Sequence, residues 1–529
     1  MRAWALTLAV MLCGSTDAEA APASHPTAAA LSRRVVRQLD DWNFREAEAL
    51  LGLLEVTAPQ DPSVAVARAR HHYLFGRYAE AQALLQRLPK ALSLAAARAR
   101  ALGSVEAVLQ VTRLYETHRS ASGNFVFRYP KGLESILLPY ATQALERIRA
   151  VLAKELGLVP DGPVRVEIHP GAEELAATSP LTLEEIRRTG TTALCRDHRI
   201  MIVTPRSLVT GYGWLDTLAH EYVHYVLEVK ARHRVPLWLH EGLASHLMQL
   251  WREPYPTTLS VLEQHRLATG LRAGRLVPLQ RMMPSFAKLK DHQEAALAYA
   301  QVASMVLHLH RRHGVAALRR LLESLAAGDT IDRALRQVTG VALQPFLARW
   351  RAALRAQGPK PVPAFSPPER RYKKAAPRGA GSPRTPFGRY RRLGAILRAR
   401  GHTGAAVVEY RKALEAVQGT HGETANILAR LLLRQGAAGV AAAGAKEAAQ
   451  VIDRALPYSS GLAALRVARA RAALALGRPR VAERHLWRAN GIDPFDAEIH
   501  CRLAELLQKR GDGKAAQERT ACRRLTRAR

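Results

Sequence analysis

With 529 residues, 48% of them hydrophobic, the chain exceeds what one core supports and implies several folded domains. Lys and Arg number 78 against 45 Asp and Glu, a net charge of +33 that favours anionic partners such as nucleic acid, anionic lipid or acidic envelope polymers. The basic residues are spread along the whole chain, only 6% of residues are aromatic, and no zinc-finger spacing or Gly-rich aromatic segment occurs, which argues against a nucleic-acid-binding protein.

Arg2, the apolar run from Ala3 to Leu12 and the small-x-small triplet Ala18-Glu19-Ala20 read as a signal peptide over residues 1–20. Cleavage near Ala20 predicts an exported protein, periplasmic or extracellular. Leu12 precedes Cys13 where a lipobox carries a small residue, so a lipoprotein is not expected. No later apolar run approaches the roughly 20 residues needed for a transmembrane span, which leaves contact of the basic surface with an anionic envelope as the expected membrane association. Beyond the signal, Cys195, Cys501 and Cys522 are too few for a disulfide framework. Cys501 and Cys522 either bridge two neighbouring helices or remain thiols.

Residues 21–120 are rich in Ala and Leu at helical spacing. Phe75-Gly76-Arg77-Tyr78 followed by Ala81 resembles the turn between the two helices of a tetratricopeptide repeat, and Trp42, Phe44 and Ala47 form a weaker copy. Small residues such as Ala81 let the paired helices approach while Tyr78 fills the gap between them. The texture changes at Gly123. Runs at 125–129, 164–169 and 199–204 are β-branched or aromatic and read as strands, with a helix at 133–156 between the first two. Helices follow from about 215 to 229 and from Glu241, then across 296–353 with breaks at Gly314 and Gly340. Strands first and helices after them describe an α+β domain over 121–355.

Residues 356–386 form a Pro/Gly/basic linker around Arg370-Arg371-Tyr372-Lys373-Lys374, expected as a solvated tether. From 387 to 529 the pattern repeats at roughly 34 residues, the tetratricopeptide period. Gly394, Gly401, Ala406, Tyr410 and Ala413 mark one unit. Ala470, Gly477, Ala482, Leu486, Ala489 and Pro494 mark another, and Ala504, Gly511 and Ala516 a third. An irregular unit at 424–457 carries an Ala/Gly insertion at 439–444. Such solenoids bind protein partners, but the repeat does not name them.

The chemistry lies in His220-Glu221-Tyr222-Val223-His224. Residues four apart share a helix face, so both imidazoles can hold one Zn2+ while Glu221 points to the polarised water as general base. With sixteen residues between His224 and Glu241, Trp238-Leu239-His240-Glu241-Gly242-Leu243-Ala244 places a carboxylate at the start of the next helix, with small residues that permit close packing. These segments resemble the gluzincin metallopeptidases of the peptidase MA-like group, the clan of thermolysin and the large aminopeptidases. The resemblance runs over about 123–351 and includes Phe346 and Trp350. It implies Glu241 as the third ligand beside His220 and His224, one zinc per chain, and a small N-terminal sheet over the active-site helix. An edge strand of that sheet would hold extended peptide; Arg199 to Thr204, with Ile200 and Ile202, is the expected edge. Thermolysin-like enzymes carry an Asp four residues after the ligand Glu; Ser245 stands there, a candidate to accept the N–H of a ligand imidazole. Tyr299 is the candidate oxyanion donor, with a core tyrosine as the alternative. His240 is adjacent to the ligand position but not assigned as a ligand. His308, His310 and His313, interleaved with Arg311 and Arg312, read as a polar helix face, and Cys195 as packing only. No Gly-rich amine-anchoring loop occurs, so an endopeptidase is expected. The alternative is a non-catalytic envelope scaffold whose repeats bind proteins around a retired or structural zinc site.

Overall fold

A computed structural model describes residues 27–89, 92–157, 159–252, 258–362, 371–373, 385–434 and 440–528. The expected signal peptide, Cys13, Arg370, Lys374 and Gly439 lie outside the described residues. The chain is an α+β domain between two sets of tetratricopeptide-like helical repeats.

The N-terminal helices are α1 (Ala28–Asp40), α2 (Phe44–Thr57), α3 (Pro62–Leu74), α4 (Tyr78–Arg87) and α5 (Leu92–Thr112). Asp61 caps α3 by accepting from the Ser63 N–H, with Pro62 in the first turn where no N–H is needed. Gly76, at φ +77°, makes the tight turn into α4 that the sequence signature requires. Ala81 is buried where α3 and α4 pack together.

The central domain comprises β1 (Tyr115–Arg119), β2 (Phe125–Pro130), α6 (Leu138–Leu156), β3 (Val164–His169), α7 (Ala172–Thr178), α8 (Leu183–Thr189), β4 (Ala193–Arg196) and β5 (Arg199–Val203). Then come α9 (Trp214–Ala231), α10 (Leu237–Leu247), α11 (Val261–Arg272), α12 (His292–His313), α13 (Val315–Ala327), α14 (Ile331–Thr339) and α15 (Leu343–Gln357). The sheet order is β1-β2-β3-β5-β4, with β2, β3 and β5 parallel and both outer strands antiparallel to their neighbours. The sheet therefore starts at Tyr115, inside the stretch expected to be helical. β1, Tyr-Glu-Thr-His-Arg, is mostly exposed and shows no apolar alternation, so its sequence carries no strand signal.

The expected edge strand is corrected by this topology. β5 lies between β3 and β4, and Ile200 and Ile202 are 0% and 3% exposed, so neither can pair with a substrate. The edge is β4. Asp197 and His198, at φ +51° and +57°, join β4 to β5 in a two-residue hairpin. That turn type normally advertises itself through Gly or Asn, and Asp-His does not.

The C-terminal helices α16 (Pro386–Ala399), α17 (Thr403–Ala416), α18 (Gly422–Arg434), α19 (Val440–Ala455), α20 (Ala463–Ala475), α21 (Pro479–Asn490), α22 (Ala497–Lys509) and α23 (Ala515–Arg527) pack as successive hairpins. A Cβ on Gly394 would stand 3.2 Å from the Tyr410 ring, which explains the Gly/Tyr pairing of the repeat. Cys501 and Cys522 form a disulfide between α22 and α23. The linker is not a free tether at its centre: Tyr372 is buried, pairs with Leu208 and donates its hydroxyl to the Thr191 carbonyl.

The core of the central domain continues into both repeat sets, through Trp42 on one side and Ala497, Ala521 and Leu525 on the other. Trp214 donates to the Asn490 carbonyl at 3.0 Å, and Tyr140 to Glu518 at 2.7 Å. Among the described residues no helix is long and apolar enough to cross a membrane.

Candidate metal centre

Helix α9 begins on Trp214, Leu215 and Leu218, all buried, which seats it beneath the sheet. One turn further its two imidazoles stand side by side, with Nε2 of His220 and Nε2 of His224 3.0 Å apart. The chain turns back through Arg232 and His233, both at positive φ, and Pro236 opens α10. This brings Glu241 Oε2 to 3.3 Å from each Nε2. The approach is close because Gly242 meets α12 directly: a Cβ there would stand 2.7 Å from the Val302 carbonyl oxygen.

The electrostatics suit a cation. Burial pushes His224 down to about 4, so its ring is neutral with a lone pair to donate. Burial acts to raise Glu241, but the two imidazoles outweigh it and hold the carboxyl well below the usual carboxylate range. Glu241 Oε2 is nonetheless a buried acceptor with no hydrogen-bond partner, which is what a position reserved for a metal looks like. Two neutral imidazoles and one carboxylate are a ligand set that zinc accepts. Among the described residues this is the one group of His, Cys, Asp and Glu that converges as a metal site.

Glu221 lies between the ligand residues His220 and Glu241, which both act on its charge, and the main chain of Cys195 on β4. Burial pushes its carboxyl up to about 7, opposed by His220 and by the backbone N–H of Cys195. Cys195 is thus more than packing: it sits on edge strand β4 and its main chain addresses the candidate base. Tyr299, on α12 and 37% exposed, places its ring 6.2 Å from that of His220 and 4.8 Å from Phe286.

Ser245 hydrogen-bonds to neither imidazole among the described residues. Instead Nδ1 of His224 meets Nδ1 of His240 at 2.6 Å, and Nε2 of His240 lies 3.1 Å from Glu228. Glu228 was not singled out in the sequence, although it stands four residues after His224 on the same helix face, the signal that could have found it. His310 pairs with His246 at 2.7 Å, without a third ligand.

Two imidazoles, an ionised carboxylate and a protonatable carboxyl beside them make a metallopeptidase-like centre. Residues 140–356, from within α6 to within α15, match the model of the Peptidase MA superfamily. No curated protein matches the chain. Among solved structures, the chain is similar to the MamA RS-1 ArsTM double mutant at 17% identity, over 40% of this chain and 94% of that one, with a TM-score of 0.24. It is similar to the APC/C hetero-tetramer Cut9-Hcn1 at 14% identity, over 96% and 95%, with a TM-score of 0.20. Yeast Tom70 matches at 13% identity, over 93% and 90%, with a TM-score of 0.17.

Proposed function

We propose that the protein is an exported zinc metallopeptidase, an endopeptidase that cuts protein or peptide substrates, with His220, His224 and Glu241 as metal ligands and Glu221 as general base. The observation that carries this reading is the convergence of two Nε2 atoms and one unpartnered carboxylate oxygen beside a buried Glu. When bound there, zinc polarises a water and the scissile carbonyl, which makes hydrolysis feasible near neutral pH.

The residues of the chain supply the rest. Glu221, with a carboxyl at about 7, can take a proton from the attacking water and return it to the departing amine. Strand β4 pairs on one side only, so its outer edge is free to hold an extended peptide by backbone hydrogen bonds, and Cys195 places that edge beside Glu221. Tyr299 lies near enough to His220 to donate to the developing oxyanion. The Cys501–Cys522 disulfide supports an oxidising destination and hence export to periplasm or medium. The repeats offer surfaces for protein partners or for delivery of substrate.

The test is elemental analysis of the purified protein together with cleavage of a mixed peptide library by wild type and Glu221→Gln. One zinc per chain in both, with cleavage reduced by about 10²- to 10⁴-fold in the variant, is the expected result. Zinc without cleavage in either form establishes instead the scaffold with a structural or retired site, and absence of zinc overturns the metal reading altogether.

A further inference from the structure

We infer that His224 is held in register by a relay that runs through His240, Glu228 and His233 to the main chain of the N-terminal repeats, which makes these three side chains positioning residues of the metal centre. The inference rests on the metallopeptidase reading above.

The links are short, and they run from the buried His224–His240 pair outward to the exposed His233. His224 Nδ1 meets His240 Nδ1 at 2.6 Å, and the two ring planes are nearly parallel, 10° apart, with centroids 4.6 Å from each other. His240 Nε2 lies 3.1 Å from one oxygen of Glu228, and the other oxygen is 2.5 Å from Nδ1 of His233. His233 Nε2 lies 2.8 Å from the carbonyl oxygen of Asp40, the last residue of α1.

The acceptors along the chain fit one continuous arrangement of protons. Both nitrogens of His233 face acceptors, so both carry hydrogen. Glu228 turns one oxygen to Nδ1 of His233 and the other to within 3.1 Å of Nε2 of His240. With Nε2 of His240 facing Glu228, the tautomer that completes the chain has a bare Nδ1 on His240 accepting from Nδ1–H of His224. The Nε2 lone pair of His224 is then directed at the point shared with His220 and Glu241. The tautomer of a metal ligand is fixed in this way from four residues away. Metal-bound histidines regularly depend on such a partner for orientation and basicity.

Two features show that the backbone is arranged for it. Arg232 and His233 both adopt positive φ, +48° and +61°, which L-residues adopt rarely, and this carries the His233 ring back against α9. The relay ends on another domain, so docking of the N-terminal repeats is coupled to the metal site. Trp42, two residues past Asp40, has its ring 6.4 Å from His233 and reinforces the contact.

The test uses the full chain, with the zinc dissociation constant measured by chelator competition and the visible spectrum of the cobalt-substituted protein. His240→Leu removes the acceptor for His224 and is expected to weaken zinc by about 10- to 100-fold and to shift the cobalt bands. His240→Asn keeps an oxygen near the Nδ1 position and should restore affinity to within a few-fold of wild type. Glu228→Gln and His233→Phe should each weaken zinc, and they replace His240→Leu should that variant fail to fold. Zinc affinity and cobalt spectrum unchanged in His240→Leu, or His240→Asn no better than His240→Leu, overturns the relay. A wild type that binds neither zinc nor cobalt overturns the metallopeptidase reading, and the relay with it, before any variant is compared.

Discussion

At Gly242 a single methyl group decides where Glu241 stands. The added Cβ of Gly242→Ala would lie 2.7 Å from both the Val302 carbonyl oxygen and Val306 Cγ2, so α10 must move off α12 and take Glu241 with it. We expect a loss of about 1–3 kcal/mol in chemical denaturation together with weaker zinc binding; a fully stable variant with native affinity would show that α10 has slack at this point. Tyr299→Phe separates the oxyanion donor from the core tyrosine. As a donor, it loses about 10²- to 10³-fold in kcat with KM little altered, and a fall in melting temperature without a kinetic change would identify a packing residue. At this scale the sequence was informative wherever the chemistry is local. The His220/Glu221/His224 spacing is a property of one helix turn, and the small residues after Glu241 announce a close helix contact. His240 and Glu228 acquire a role only after α10 has folded back on α9, so adjacency to Glu241 made His240 look like a rival ligand rather than a support for one.

Elements were legible in proportion to their periodicity. The Gly, Ala and Tyr positions of the repeats encode turn, close approach and gap-filling, and helices form there. Strands β1 and β4 are short, polar or joined by an unadvertised turn, and the edge of the sheet was misplaced for that reason. The second role of Tyr78 was also hidden. Besides packing in its repeat, its hydroxyl sits among Glu167, at 2.8 Å, Arg165, at 3.2 Å, and Arg199, at 2.6 Å, fastening α4 to β3 and β5. This cluster predicts acid sensitivity. Burial alone would raise Glu167, but Arg199, His169, Arg165 and Arg128 outweigh it and hold the carboxyl at about 2 against an ordinary 4.5. Since the folded value is the lower one, the contribution to stability is complete above about 4.5 and lost as pH falls toward 2. His169, pushed by burial to about 4 from 6.5, is stable in its neutral form and begins to lose its contribution below 6.5. Thermal unfolding followed against pH should therefore fall in two stages, and Glu167→Gln should be destabilised at neutral pH and lack the lower stage. An unchanged profile in that variant would remove Glu167 from the account.

For the whole molecule, domain order can be read along the sequence, but docking cannot, because the contacts join residues far apart: Tyr140 and Glu518 are 378 positions from each other. The C-terminal repeats nevertheless complete the core of the peptidase domain. Trp214, at the start of α9, is 1% exposed and donates to the Asn490 carbonyl, and Tyr212 N–H donates to the Ile492 carbonyl. On the far side Glu518 accepts from Tyr140 and lies 2.8 Å from His500, while the Cys501–Cys522 bridge holds their two helices together. The bridge closes a loop of 21 residues, for which constraint of the unfolded chain is worth about 3 kcal/mol. Reduction, or Cys501→Ser with Cys522→Ser, should lower the free energy of unfolding by that amount in chemical denaturation without affecting zinc content. Removal of residues 387–529 is more severe. It uncovers Trp214, Tyr140 and Leu215 and leaves polar groups of α6 and α9 without partners, so the remaining chain should aggregate or melt without cooperativity on size-exclusion and calorimetric analysis. A truncated chain that stays monomeric, melts cooperatively and binds one zinc would show that the repeats are appended to a self-sufficient peptidase domain, not built into it.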